Sequence, residues 1–291
     1  MTLDQWKSKG HYTTVQGHQI FTQEEGKGET VLLIHGFPTA SWDWWQMWAK
    51  LASQYHVLAL DMLGFGFSDK PKKRKYSILE QADIIEAFLD QKGVNKAKIL
   101  CHDYGDTVAQ ELLARHEDRV GNQTRGVHIE SLCFLNGGLF PETHRALLIQ
   151  KLLMSPVGWI ISRVFSRKKL GESFKKVFGP NTQPTESELD EFWSLITYNK
   201  GNRIIHKLIW YMQDRIDNRE RWVSAMQKTE VPLRVIDGVV DPVSGIHMTE
   251  RYRELIPNPD VVLLEEIGHF PLVEAPEETL HHYLDFIKKV S

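Results

Sequence analysis

Four runs of apolar residues divide the first half of the chain: Val31-Leu32-Leu33-Ile34, Val57-Leu58-Ala59-Leu60, Ile99-Leu100-Cys101 and Leu132-Cys133-Phe134-Leu135. Short runs without polar alternation fit strands buried on both faces, as in a parallel sheet. Between them, apolar positions recur at helical spacing. One such segment, Ser41 to Leu51, carries Trp42, Trp44, Trp45 and Trp48; another opens on the capping-box pattern Ser77-Ile-Leu-Glu80 and runs through Leu89. A third starts at Tyr104 and places Val108, Ala109, Leu112 and Leu113 on one face. Ahead of these, Tyr12 to Val15 and Gln19 to Thr22 flank Gln16-Gly17-His18 and predict a β-hairpin. From Glu142 to about Gln227 the pattern is helical throughout, with breaks at Pro156, Gly158, Pro180 and Pro184. Alternation resumes at Leu233 to Ile236 and Val261 to Leu264, and an amphipathic helix from Pro276 to Val290 closes the chain. The pattern predicts an α/β fold with a mostly parallel sheet, built from residues 1–138 and 229–291, and an inserted helical cap over 139–228.

Composition narrows the class. A chain of 291 residues with 42% hydrophobic and 25% charged residues fits one large α/β domain with an inserted lid. A net charge of −3 gives the molecule as a whole no attraction to nucleic acid or anionic membranes. No run approaches the roughly 18 apolar residues of a membrane span, and Met1 to Gly10 lacks the apolar core of a signal peptide. The expectation is a cytoplasmic protein. Cys101 and Cys133 both lie in strand-like stretches and read as buried thiols. No metal-ligand spacing is visible, and no cofactor is expected. Gly64-x-Gly66 lacks the third glycine and following helix of a dinucleotide loop, and Lys70 to Lys75 reads as a solvated loop.

The chemistry gathers around Cys101-His102-Asp103-Tyr104-Gly105. A strand, a tight turn and a helix meet there, with small residues two positions either side of Asp103. That is the pattern of a nucleophile elbow, whose strained turn holds one side chain proud of the sheet. Ser is usual there; this chain has Asp. A second acid, Asp241, follows the strand ending near Asp237, and His269 follows the strand ending at Leu264. Nucleophile, acid, histidine is the chain order of the α/β-hydrolase triad, and each member falls just past the carboxyl end of a parallel strand, where such sheets place their sites. A carboxylate needs no base to activate it at neutral pH and can displace a leaving group from saturated carbon. Water activated by His269, itself oriented by Asp241, would then hydrolyse the alkyl ester on Asp103. The backbone N–H groups of Phe37 and Tyr104 are the expected oxyanion donors.

These residues, with His35-Gly-Phe-Pro38, Asp61-x-x-Gly64-x-Gly66-x-Ser68, Asp241-Pro242 and Gly268-His-Phe-Pro271, resemble the epoxide hydrolase and haloalkane dehalogenase branch of the α/β-hydrolase superfamily. Cys101 to Asp106, Asn136 to Arg145 and Arg221-Trp222-Val223 narrow the resemblance to an epoxide-hydrolase-like member. It implies a small apolar substrate, an epoxide opened to a diol or, alternatively, a haloalkane. Two departures bear on that choice. Epoxide hydrolases of this branch protonate the ring oxygen with two cap tyrosines, yet none occurs between Asn136 and Thr197, leaving Tyr198 and Tyr211. Haloalkane dehalogenases show Asn and Trp at the halide-binding positions, where this chain has Phe37 and Tyr104. Trp42, His144 and Trp193 are the other pocket candidates. A binding protein that kept the fold is the reading from another class, with the segment from Leu147 to Phe165 and its basic neighbours as either pocket roof or contact surface.

Overall fold

In the computed structural model, which describes residues 1–290, the apolar runs become one sheet. Its strands are β1 (His11–Val15), β2 (His18–Glu25), β3 (Thr30–Ile34), β4 (His56–Leu60), β5 (Lys96–His102), β6 (His128–Leu135), β7 (Leu233–Gly238) and β8 (Val261–Leu264). They lie in the order β1-β2-β4-β3-β5-β6-β7-β8. The β1–β2 hairpin joins antiparallel to β4, and every other pairing is parallel. Val31 to Ile34 and Val57 to Leu60 are fully buried, which requires cover on both faces of the sheet.

That cover comes from α1 (Leu3–Lys9), α2 (Trp45–Ala52), α3 (Ile78–Gln91), α4 (Tyr104–Asn122), α12 (Ile246–Leu255), α13 (Pro271–Glu274) and α14 (Pro276–Val290). Seven helices intervene between β6 and β7: α5 (Leu148–Met154), α6 (Gly158–Val164), α7 (Arg167–Val177), α8 (Glu186–Thr197), α9 (Ile205–Leu208), α10 (Tyr211–Asp217) and α11 (Arg219–Lys228). They form the inserted cap. Sequence and structure differ in places. The indole-rich segment begins as a 3-10 turn over Ser41–Trp44 before α2. Helix α1 was not expected; Thr2 and Gln5 close a full capping box at its start, and Trp6 packs edge-on against Trp48. At α3 half the expected box forms: Ser77 Oγ accepts the Glu80 N–H, but the Glu80 carboxylate pairs with Arg74.

The strand order places the site. From β3 the chain crosses to β4 on one side, then returns through α3 to β5 on the other. The loops leaving β3 and β5 therefore diverge from adjacent strand ends, opening a crevice at the switch point. The motif from Asp61 to Ser68 holds this crevice's neighbour in shape. Asp61 Oδ1 accepts the Ser41 N–H (2.8 Å) and hydroxyl (2.5 Å), Oδ2 accepts the Phe67 N–H (2.7 Å), and Ser68 Oγ donates to the Asp61 carbonyl (2.5 Å). Gly66, at φ +46°, sits where a Cβ would meet Asp61 Oδ2 at 2.1 Å. The glycine pattern thus serves a loop anchor.

Gly105 fixes how closely α4 approaches β3. A Cβ there would meet the Ile34 and His35 carbonyl oxygens at 2.4 and 2.8 Å, both backbone atoms. Gly105→Ala is expected to destabilise the fold by about 2–3 kcal/mol in urea unfolding, from overpacking against atoms that cannot move aside. An unchanged midpoint would contradict that contact.

Candidate active site

Asp103 occupies the turn between β5 and α4 with φ +49° and ψ −102°. A side chain held at positive φ is strained by on the order of 1–3 kcal/mol, and this one is only 4% exposed. Its carboxylate is aimed at the loop leaving β3, where the Phe37 N–H donates to Oδ2 at 3.0 Å. Tyr104, whose N–H is the second expected donor, is the first residue of α4, so the helix dipole also favours negative charge here.

The ends of β7 and β8 supply the other two groups. His269 Nδ1 lies 2.7 Å from Asp241 Oδ2, and His269 Nε2 lies 4.0 Å from Asp103 Oδ1. Asp241 is cradled: Val243 N–H donates to Oδ1 (2.8 Å), and the Ser244 N–H and hydroxyl donate to Oδ2 (3.1 and 2.9 Å). Burial works against its charge, but the His269 imidazole and these donors hold the carboxyl below the usual range. Burial likewise disfavours charge on His269, yet Asp241, and after it Asp103, outweigh the effect and push the imidazole up to about 9. The neighbouring His102 goes the other way, down to about 3, through burial and the charge of His269. It stays neutral, with Nε2 2.8 Å from the His269 carbonyl oxygen, and so serves as a fixed spacer.

Asn136 and Arg215 complete the setting, and neither was among the residues singled out from the sequence. Asn136, at φ +41° past the end of β6, accepts the Gly238 N–H at 2.7 Å and donates from Nδ2 to Asp241 Oδ2 at 3.2 Å. A polar residue at a fourth strand end was the available signal. Arg215 comes from α10 in the cap and is 2% exposed. Its Nε donates to Thr107 Oγ1 (2.6 Å), its Nη2 donates to the Asp103 carbonyl (3.1 Å), and the same nitrogen lies 3.7 Å from Asp103 Oδ1. An arginine in a helical stretch carries no sequence mark of such a position.

Asp103 and His269 open on an apolar cavity of about 80 Å³, roofed by Leu147, Ile149, Leu153, Phe165 and Phe174 of the cap. Gln150 and Ser173 are the polar cap side chains on its wall. The five pocket candidates lie elsewhere. Trp42 stacks on Trp45 and meets Phe192 edge-on, and Trp193 packs on Phe165. Tyr198 packs on Phe67 between Lys7 and Lys70. Trp42 is buried, Trp193 and Tyr198 are half-buried against the core, and none of the three lines the cavity. His144 lies beside Arg215 at Gly138, and burial together with that guanidinium pushes its imidazole down to about 4. Tyr211 packs on Phe37 and Tyr104, with Arg215 over its ring at 4.6 Å. It borders the elbow without lining the cavity.

Residues 29–124 match the family described as "alpha/beta hydrolase fold". The mouse (Mus musculus) mesoderm-specific transcript protein is 44% identical over 98% of this chain and 88% of its own length. Among solved structures, an epoxide hydrolase superposes with a TM-score of 0.75 at 20% identity, over 97% of this chain and 99% of its own. A haloalkane dehalogenase loop variant from Bradyrhizobium elkanii gives 0.80 at 19%, over 97% and 96%. At those identities the structures attest the fold alone. With an α/β-hydrolase sheet and that level of identity along nearly its whole length, the chain belongs to the mesoderm-specific transcript family of α/β-hydrolase-fold proteins.

Proposed function

We propose that the chain is a hydrolase working through an alkyl ester on Asp103, and that its substrates are small apolar epoxides, opened to diols. One observation carries this reading. The elbow presents a carboxylate to an apolar cavity, with the Phe37 N–H on Oδ2 and the His269 imidazole 4.0 Å from Oδ1. Oδ1 attacks a ring carbon, the C–O bond breaks, and the ring oxygen takes a proton to become an alcohol. Tyr211 is the cap tyrosine packed beside the elbow, and burial, with the Asp103 charge, keeps its hydroxyl protonated. Its ring lies outside the cavity wall, so in this reading the epoxide oxygen must extend across the elbow to take that proton from it. Water then gives a proton to His269 Nε2 and adds to the Asp103 carbonyl carbon. The resulting oxyanion rests at the Phe37 N–H. As it collapses the acyl–oxygen bond breaks, His269 returns its proton to the leaving alkoxide oxygen, and the diol leaves. The proton on the regenerated Asp103 carboxyl goes back to Tyr211.

The charges favour that sequence. Asp103 is one of three carboxylates, after Asp241 and before Glu274, raising the His269 pKa. Esterification removes its charge, which lowers the imidazole pKa at the step that needs a base, although Asp241 still holds it up. Haloalkane cleavage is the second reading; it is disfavoured by Phe37 and Tyr104, which bring no side-chain N–H to a leaving halide. A panel of epoxides and chloro- and bromoalkanes, assayed for diol and for halide, separates the two. Diol without halide supports the proposal, and halide release from the haloalkanes without diol overturns it.

Arg215 acts in this reading as a positioning residue, pinning the Asp103 carbonyl and steadying Oδ1. Arg215→Met is expected to lower kcat about 10- to 100-fold, the loss of one charge-assisted contact, with KM changed far less. A change confined to KM would contradict it.

A further inference from the structure

Helix α5 is apolar on two sides. Ile149 and Leu153, with Leu147 just ahead of the helix, roof the cavity, joined by Phe165 just past the end of α6. Leu148 and Leu152 on its other side, with Val157, Trp159, Ile160 and Val164 at α6, face solvent, between 37% and 73% exposed. Thirteen large hydrophobic side chains are exposed among the described residues, and these six fall within 17 consecutive positions. Soluble surfaces carry scattered apolar residues; a contiguous patch of this kind marks a contact.

Charge identifies what it contacts. Residues 147–177 hold seven Lys or Arg and a single Glu, a local charge of +6 in a chain whose net charge is −3. Lys151, Arg163, Lys168 and Lys169 are exposed beside the apolar stripe, and the Arg163 guanidinium lies over the Trp159 ring at 4.9 Å. Of the cations here, Arg167 is held by acidic partners, Glu186 and Asp190. A second copy meeting this face in a symmetric dimer would set +6 against +6, a repulsive pairing. Exposed apolar side chains and an indole, with Arg163 over that indole and further cations close by along the chain, suit the boundary between acyl chains and anionic headgroups.

We propose that the exposed face of α5 and α6 seats the protein on an anionic lipid bilayer. Helix α5 and the Phe165 that follows α6 also form part of the cavity roof, so apolar molecules dissolved in the bilayer meet the cap at the site's own wall. The overall charge conceals this, because the remaining residues carry −9 and the basic surface is confined to one segment.

Vesicle flotation with the full chain tests the proposal without reference to turnover, so its failure is separable from that of the proposed reaction. The vesicles are phosphatidylcholine alone, or phosphatidylcholine mixed with phosphatidylserine. The protein is expected to float with the mixed vesicles at low salt and to be released as salt screens the contact. Lys168→Glu combined with Lys169→Glu should weaken binding more than tenfold, since each cation near such a surface contributes about fivefold. Trp159→Ser combined with Val164→Ser should weaken it comparably, while both variants keep the far-ultraviolet circular dichroism of the parent. No flotation with anionic vesicles, or flotation indifferent to both pairs of substitutions, would overturn the proposal. So would a wild-type dimer in sedimentation velocity that Trp159→Ser with Val164→Ser dissociates, which would assign the face to a second copy.

Discussion

Asp103→Asn is expected to lower turnover by about 10⁴-fold or more, the scale seen when the nucleophile of a covalent mechanism is removed. The substitution exchanges one oxygen for an amide nitrogen of nearly equal size, so packing is preserved. The Asn amide oxygen can still accept the Phe37 N–H that now binds Oδ2, and Asn tolerates the positive φ of this turn better than most residues. The fold should therefore survive with a melting temperature within a few degrees of the parent. What disappears is the anionic nucleophile and, with it, one of the three carboxylates that raise the His269 pKa. Its imidazole pKa should accordingly fall from about 9, a shift readable by NMR titration. An active Asp103→Asn protein with an unshifted His269 would count against both the nucleophile and the charge coupling.

His269→Gln should separate the two half-reactions. Ring opening needs Asp103, whereas ester hydrolysis needs a base next to it; the variant is expected to complete one turnover and stop with the adduct in place. Steady-state kcat should fall by about 10³–10⁴-fold or more, in the range of a lost general base and triad member, while the mass of the peptide containing Asp103 rises by that of the intact epoxide. A mass gain equal to the haloalkane less hydrogen halide would instead assign dehalogenation. The same histidine sets a pH signature on stability. Its folded pKa of about 9 lies above the ordinary 6.5, so the folded state binds the proton more tightly. The stabilisation it brings is complete below about pH 6.5 and is lost as pH rises through 9. The stability difference between the parent and His269→Gln should shrink across that window, and a difference flat from pH 6 to 10 would contradict the assignment.

The fold was legible because its strands are buried on both faces. Val31 to Ile34, Val57 to Leu60 and Leu132 to Leu135 had no solvent side to encode, so each stood out as an unbroken apolar run. The closing helix, Pro276–Val290, kept a clean apolar stripe and was readable to the residue. Helix α1 was missed because seven residues are too few to show a period, although Thr2-x-x-Gln5 was present as a capping signal. The elbow was legible for a different reason: Gly105 and Asp103 answer to backbone constraints, which restrict residue types position by position. The cap gave less away. Its helices are short, their apolar residues serve cavity, core and solvent at once, and side chains such as Arg215 reach the elbow only through tertiary packing. Trp42, Trp193 and Tyr198 suit wall or packing equally by residue type, and only their ring contacts in the fold place them away from the cavity. Asn136 was hidden in plain view, since an Asn past a strand reads as a turn residue until its partners on Gly238 and Asp241 are known.

The central claim, that Asp103 itself forms the covalent bond, is tested most directly by a single turnover in water enriched in oxygen-18. Enzyme is held in excess over an epoxide it hydrolyses, and both product and the peptide containing Asp103 are weighed. If the ester forms and water attacks its carbonyl carbon, the new hydroxyl of the diol comes from Asp103. The first diol is then unlabelled and the Asp103 carboxylate gains one heavy oxygen. A labelled diol with an unlabelled Asp103 peptide would mean that water attacks the substrate directly, and would contradict the account.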